Sequence, residues 1–313
     1  MAVMGINEIG SKSILPIFFR IPKYFSFSIQ TDESNTIFTL PLIEDGIYNF
    51  TINWGDGSTL GEVTSSNDTD KTHTYATAGT YIISMTGECT IFDFGQSPIE
   101  AAMVKELISV RDLGFESLNF TSCINMISIP TSFRNLSHLT TCDYMFYHCS
   151  SLEVIPPGIF DGLAEVESFY GAFEGCSSIT EIPENLFRYN TLVTTFQSTF
   201  SGCTGLTTMP HAFFKYNSLV TNYLETFYNC ENLTIDSDLF CEEEDLPNRF
   251  LDMSIDFTNC FYANNFYGTI GEAPDLWNCN FGTGTPTTTG CFAGVGNTTR
   301  FTNYANISTA WVE

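Results

Sequence analysis

The apolar positions in the C-terminal two thirds of the chain fall into columns with a fixed period. Phe146-x-x-Cys149, Phe173-x-x-Cys176, Phe200-x-x-Cys203 and Phe227-x-x-Cys230 recur every 27 residues; Phe120-x-x-Cys123 precedes them at a spacing of 26, and Phe257-x-x-Cys260 follows at 30. Leu152, Ile179, Leu206 and Leu233 follow each Cys by three residues, and Pro130, Pro156, Pro183 and Pro210 by seven. Further columns are Phe133/Phe160/Phe187/Phe214/Phe240, Leu139/Val166/Val193/Val220 and Cys142/Phe169/Phe196/Tyr223. One unit of this length cannot bury its apolar residues alone, whereas stacked units share a core in which each column becomes a ladder. The pattern therefore predicts a solenoid of about 27-residue coils over residues 99–262. Within a coil, Leu152–Pro156 reads as a short strand, ended by a proline that has no N–H for a ladder. Val166–Phe169 reads as a second strand or extended turn, and Tyr170–Phe173 as a short helical turn.

Upstream, the period is two. Tyr48-Asn49-Phe50-Thr51-Ile52-Asn53-Trp54 alternates as a half-buried strand does. Gly55-Asp56-Gly57-Ser58 is a turn signal, and His73–Tyr75 and Gly79–Met85 return to strand character. Residues 31–98 are thus expected to form a small module of strands, separate from the repeats. Residues 1–30 belong to neither pattern yet hold Phe18, Phe19, Tyr24, Phe25 and Phe27. Free termini are rarely so aromatic, so this segment is expected to dock on a partner or a sister subunit. After Cys260 the register degrades, with Cys291-Phe292-Ala293-Gly294 as an echo of the repeat. Residues 263–313 are expected to cap the open end of the core, with Trp277 and Trp311 as lids.

Two resemblances attach to these residues. The F-x-x-C-x-x-L-x-x-I-P pattern over roughly 105–262 resembles leucine-rich repeats of the BspA type, although 27 residues is longer than that family's common unit. The resemblance implies a right-handed solenoid of the kind found in bacterial surface proteins and adhesins, and binding rather than catalysis. Trp54-Gly55-Asp56-Gly57-Ser58, followed by His73, Tyr75, Gly79 and Tyr81, resembles the polycystic-kidney-disease (PKD) domain, an immunoglobulin-like sandwich that serves as spacer and binding unit outside cells. The fold class expected is mainly β: a PKD-like sandwich, a leucine-rich-repeat solenoid and a C-terminal cap. Such combinations are also similar to decoration or tail proteins of tailed phages. The leading expectation is a virion-exposed phage protein, oligomeric within an assembly. It would be anchored to other virion proteins or sister subunits through residues 1–30, and would contact a host-surface protein or glycan. A bacterial surface adhesin is the alternative, and a glycan-processing enzyme a third reading.

Composition narrows the partners. The net charge is −25, from 11 basic and 36 acidic residues in 313, so nucleic acid and anionic membranes are repelled. No apolar run approaches the roughly 20 residues of a membrane span, and residues 1–25 read as lacking the usual secretion signal. The 11 cysteines sit mostly in the repeat columns, which favours packed thiols; disulfides between neighbouring coils are the alternative, and no zinc-type spacing is present. No metal or cofactor is expected. The four histidines (His73, His138, His148, His211) and the acidic residues form no recognisable catalytic motif. Asp56 is read as a turn former rather than a calcium ligand, His73 as hydrogen-bonded within the sandwich, and Glu242–Asp245 as a solvated charge run. The candidate binding face consists of Glu153, Thr180, Glu181, Thr207 and Thr208, with Tyr147, Tyr170 and Tyr228 nearby.

Overall fold

The computed structural model describes residues 24–264, 271–294 and 301–313, and its fold is mainly β with few helices. Among the described residues nine strands are formed: β1 (Phe25–Thr31), β2 (Thr36–Thr39), β3 (Tyr48–Asn53), β4 (Gly61–Val63), β5 (Thr72–Tyr75), β6 (Gly79–Cys89), β7 (Ile91–Asp93), β8 (Val104–Ser109) and β9 (Ser117–Asn119). A five-stranded sheet has the order β4-β3-β6-β1-β8, and β2 pairs with β5. Phe27 of β1 meets Phe38 of β2 at 6.1 Å between ring centroids, so the two sheets share a core.

β1 corrects one expectation. Phe25 and Phe27, read as anchor residues, are fully buried, and β1 pairs antiparallel with β6 (Phe27↔Ile83) and with β8. The reason is the alternation Phe25-Ser26-Phe27-Ser28-Ile29, which sends every second side chain into the core. Of the five proposed anchors, Tyr24 is exposed at the head of β1, and Phe18 and Phe19 lie outside the described residues. The boundary at 98 also moves, because β8 is an edge strand of this sheet. That edge carries the sheet onward: Ile127 N–H donates to the Lys105 carbonyl, and Glu106 bridges in parallel to Ser128. β7 and β9 pair in parallel beside it. One apolar core therefore runs from the sheets into the repeats, through Phe27–Phe92 (5.7 Å) and Phe92–Phe120 (6.2 Å).

Successive repeats hydrogen-bond to one another in parallel. Single-residue bridges link Thr141, Ser168, Thr195, Asn222, Asp256 and Thr287 in one column, and Glu181, Thr208 and Thr234 in another. Between the columns, the segment expected to be a short helical turn is instead a run of tight turns. In the run at Cys142–Cys149, Cys142, Tyr144, Phe146 and His148 donate to the carbonyls of Ser168, Tyr170, Ala172 and Glu174 in the next repeat. The intervening Met145, Tyr147 and Cys149 donate back to Cys142, Tyr144 and Phe146. Every N–H of the run is satisfied, half within the repeat and half across it. This geometry needs left-handed residues at two places per repeat. Tyr144, Gly171, Ser198 and Glu225 (φ 54°, 58°, 52°, 55°) occupy one place, and His148, Gly175, Gly202 and Asn229 (φ 56°, 73°, 68°, 56°) the other. At Gly171 space as well as conformation favours glycine, since a Cβ there would lie 2.8 Å from the Tyr144 ring.

The phenylalanine column stacks through Phe120, Phe146, Phe173, Phe200 and Phe227, at centroid spacings of 6.1, 5.5, 5.8 and 5.8 Å. It continues through Phe261 and Phe292 (5.6 and 5.2 Å) rather than through Phe257. The sequence register slips here. Phe227 N–H bonds to Cys260 where Phe200 N–H bonds to Thr226, so Cys260 answers to Thr226, and Phe261 answers to Phe227 after 34 residues. Asn264 then stands level with Cys230, whose N–H it accepts at 3.1 Å. The added length is accommodated by a 3-10 turn at Glu243–Asn248. The same pattern extends beyond the expected limit at 262, with Phe257, Asn259, Phe261 and Ala263 donating to Thr287, Thr289, Cys291 and Ala293. Trp311 closes the end, buried against Phe257 (5.6 Å) and Phe292 (6.2 Å), with its carbonyl accepting from Phe292 N–H.

Buried polar side chains repeat as well. Asn190 Nδ2 donates to the Phe160 and Leu163 carbonyls (3.3 and 2.7 Å), and Asn217 Nδ2 to those of Phe187 and Asn190 (3.1 and 3.0 Å). Arg249 serves the next rung, on Phe214 and Asn217 (3.3 and 3.0 Å). The cysteines do likewise. The thiols of Cys149, Cys176, Cys203 and Cys230 donate to the carbonyls of Phe120, Phe146, Phe173 and Phe200 at 3.0–3.3 Å. This accounts for the F-x-x-C spacing: each Phe carbonyl closes a turn onto its own Cys N–H and receives the next repeat's thiol.

Candidate functional site

The residues that carry the WGDGS…H-x-Y pattern converge at one end of the sheets. His73 stacks on Trp54 at 5.1 Å and meets Tyr75 edge-on at 4.7 Å; Tyr75 in turn stacks on Tyr81 and donates to the Trp54 carbonyl. His73 Nε2 lies 2.7 Å from Asp56 Oδ2, and Asp56 Oδ1 accepts from Ser58 N–H. Burial pushes the Asp56 carboxyl up, but the hydrogen bonds from Ser58 and His73 outweigh it and hold the pKa at about 2. Each polar group here has a partner within the turn or the stack, so the cluster ties the Gly55–Ser58 turn to β5.

The eight residues expected to form a binding face fall into two sets. Thr180, Glu181, Thr207 and Thr208 are exposed in the bridged column, where Thr207 N–H and Oγ1 both donate to the Thr180 carbonyl. Glu153 is exposed at the equivalent position one repeat earlier. Tyr147, Tyr170 and Tyr228 sit instead on the tight-turn runs, partly buried. There they join two further tyrosines that no repeat column marks: Tyr144 packs on Tyr170 (4.6 Å) and Tyr147 (5.4 Å), and Tyr228 stacks on Tyr262 (5.0 Å, 12°). Glu174 lies on the same runs; burial, and then the charge of Glu225, raise its carboxyl. Burial and the hydrogen bond with Tyr170 raise the Tyr144 phenol. Both outer surfaces are regular, because bonded strands lie about 4.8 Å apart.

A third group escaped notice in the sequence. His211 bonds through Nδ1 to Asp238 and through Nε2 to Glu242 (2.7 Å), and Lys215 Nζ reaches Glu242 at 3.3 Å. His211–Asp238 and Lys215–Glu242 are each 27 residues apart, so the repeat period was the signal that could have paired them. Glu242 thus leaves the charge run to which it had been assigned. Beside this group, Arg188 lies over Tyr189 (5.6 Å) and Tyr216 (5.2 Å), and Lys215 over Tyr216 (5.3 Å). These cations stand out on a chain of net charge −25.

All eleven cysteines are free thiols, and ten are buried. Burial pushes Cys149, Cys176 and Cys230 well above the usual thiol range and raises Cys203 to about 12, so none is a thiolate near neutrality. Among the described residues, no group of three or more His, Cys, Asp or Glu is arranged to hold a metal ion, and no helix is long and apolar enough to cross a membrane. No family model, no curated protein and no solved structure matches the chain.

Proposed function

We propose that this chain is a non-enzymatic binding protein in which a PKD-like sandwich carries a leucine-rich-repeat solenoid, displayed on the outside of a phage particle to contact the host surface. The observation that carries the reading is the in-register recurrence of exposed side chains. Glu153, Thr180 and Thr207 occupy one position in successive repeats, and Thr207 N–H bonds directly to the Thr180 carbonyl. Exposed side chains held at one position of successive hydrogen-bonded repeats multiply weak contacts along an extended ligand. Such a surface suits repetitive ligands: cell-wall polymers, or a surface protein with basic patches. The core that runs without a break from the sheets into the repeats makes the chain a stiff spacer, so the repeats stand away from whatever holds the sandwich. The strong negative charge disfavours nucleic acid and favours partners whose surfaces are neutral or basic.

The test is adhesion of the fluorescently labelled chain to intact cells of the culture it comes from. Saturable binding, lost in Glu181→Lys/Thr208→Lys with an unchanged melting temperature, is the expected result. Absence of binding, or binding indifferent to both substitutions and to Tyr170→Ala, overturns the reading.

A further inference from the structure

Near the C-terminal end a cleft of about 570 Å³ opens beside Leu246 and Pro247 of the Glu243–Asn248 turn and the 3-10 turn Leu276–Asn278. That volume is in the range of small-ligand sites. Trp277, Glu272, Asp275, Asn278, Asn303 and Asn306 are among its lining residues.

The walls are held before any ligand arrives. Asn278 Nδ2 donates to both carboxylate oxygens of Asp275 (2.8 and 2.9 Å). Asn303 accepts from Ala273 N–H and donates to the Ala273 carbonyl (3.1 and 2.8 Å), fixing its side chain. Cys279 Sγ donates to the Leu246 carbonyl at 3.3 Å and so clamps one turn to the other. Trp277 is braced edge-on against Phe292 at 6.0 Å and remains partly exposed. Rigid walls lower the ordering cost of binding.

The lining also selects a ligand class. An indole offers a flat apolar face with a polar edge, which suits the C–H face of a pyranose ring. Carboxylates and amides accept and donate to its hydroxyls, the carboxylates through the stronger charge-assisted bonds. Among the described residues lining the cleft there is no Lys, Arg or His, and two are acidic, so sugar acids and phosphorylated sugars are repelled. We propose that this cleft binds a neutral pyranose unit of a cell-surface polysaccharide. The proposal rests on the reading of the chain as a surface-binding protein and names one ligand class for it.

The test titrates the full chain with neutral trisaccharides (maltotriose, chitotriose and a β-1,3-linked glucotriose) and with sialyllactose as the anionic comparison. Calorimetry and tryptophan emission are both read. Trp54 and Trp311 are 4% and 5% exposed, so a ligand-induced change in emission reports Trp277. The expected result is saturable binding of at least one neutral sugar, an emission change, and no binding of sialyllactose. Glu272→Gln, at an exposed position, should weaken binding at least fivefold without shifting the thermal melt, and Trp277→Ala should abolish it. No binding by any of the three neutral sugars, equal binding of sialyllactose, or binding unaffected by Glu272→Gln and Trp277→Ala overturns the proposal. Cell adhesion that persists in Trp277→Ala while sugar binding fails would remove the cleft and leave the repeat surfaces as the binding region.

Discussion

Phe200→Ala removes the middle rung of the aromatic ladder. Phe200 is fully buried, with Phe173 and Phe227 each 5.8 Å away and nearly parallel (3° and 9°), and with Phe187 and Phe213 at 6.2 and 6.3 Å. At 5.8 Å parallel rings are offset, which is the favourable stacking geometry. Truncating a buried Phe to Ala costs about 3–5 kcal/mol. A ring with aromatic neighbours on four sides belongs at the upper end, about 5 kcal/mol, because the space cannot collapse from either repeat. Phe200→Leu keeps most of the buried apolar volume and forfeits the two stacks, each worth about 0.5–1.5 kcal/mol, so about 2 kcal/mol is expected. Thr207→Ala, in the same repeat but exposed, should cost about 0.5 kcal/mol or less. Urea unfolding followed by circular dichroism gives the three values, and hydrogen exchange read by mass spectrometry locates the damage. Protection should fall in the repeats of Phe173 and Phe227 as well as in that of Phe200, because each repeat leans on its neighbours. A cost for Phe200→Ala within about 1 kcal/mol of that for Thr207→Ala would refute the shared-ladder reasoning. So would a loss of protection confined to a single repeat.

Other outcomes follow from the polar ladders and ion pairs. In the native state ten buried thiols should resist alkylation, with half-buried Cys279 the first to react; rapid labelling of Cys176 or Cys203 would contradict their burial. Cys176→Ala should cost about 1 kcal/mol in thermal unfolding, since the Phe146 carbonyl loses one of its two donors. The Asp56 pKa is lowered from 3.8 to about 2, so its contribution is present above pH 4 and is lost as pH falls towards 2. Screened by solvent at this exposed turn, the loss amounts to about 1 kcal/mol, and Asp56→Asn should flatten that limb of an acid-unfolding curve. His211 has a pKa raised first by its hydrogen bond to Glu242 and then by that to Asp238; the stabilisation is present below pH 6.5 and fades as pH rises through the folded value. An NMR titration should place the His211 midpoint above 6.5 and lower it in Asp238→Asn and Glu242→Gln.

Much of the fold was legible because the period is long and apolar positions are obligatory. The Phe-x-x-Cys, Leu and Val columns of residues 120–233 all point inward, since exposing any one of them opens the shared core. Three features were not legible, each for a physical reason. The turn run at Tyr144–Cys149 looks helical because its local bonds span three residues; its left-handed positions are held by Tyr144, His148 and Glu225 as well as by glycine, so no residue type marks them. The slip at Cys260 was hidden because Phe257-x-x-Cys260 mimics the motif while Phe261, one residue later, takes the ladder position. The place of β1 in the sheet shows only in the two-residue alternation of its aromatics, which their number in residues 1–30 masks. For the candidate site, exposed Thr180 and Thr207 followed from the register, since what lies between ladder positions faces out. The Trp277 cleft did not, because its walls come from turns brought together only by the stacking of the repeats.

The most direct test of the central claim is quantitative mass spectrometry of density-purified phage particles and of washed cell envelopes from the same culture, with surface biotinylation before lysis. The account predicts copies in the particle at a fixed ratio to the major capsid protein, with lysine labelling at exposed Lys215 in the intact particle. Recovery only from the envelopes, or a particle-bound chain that cannot be labelled until the particle is opened, would contradict it.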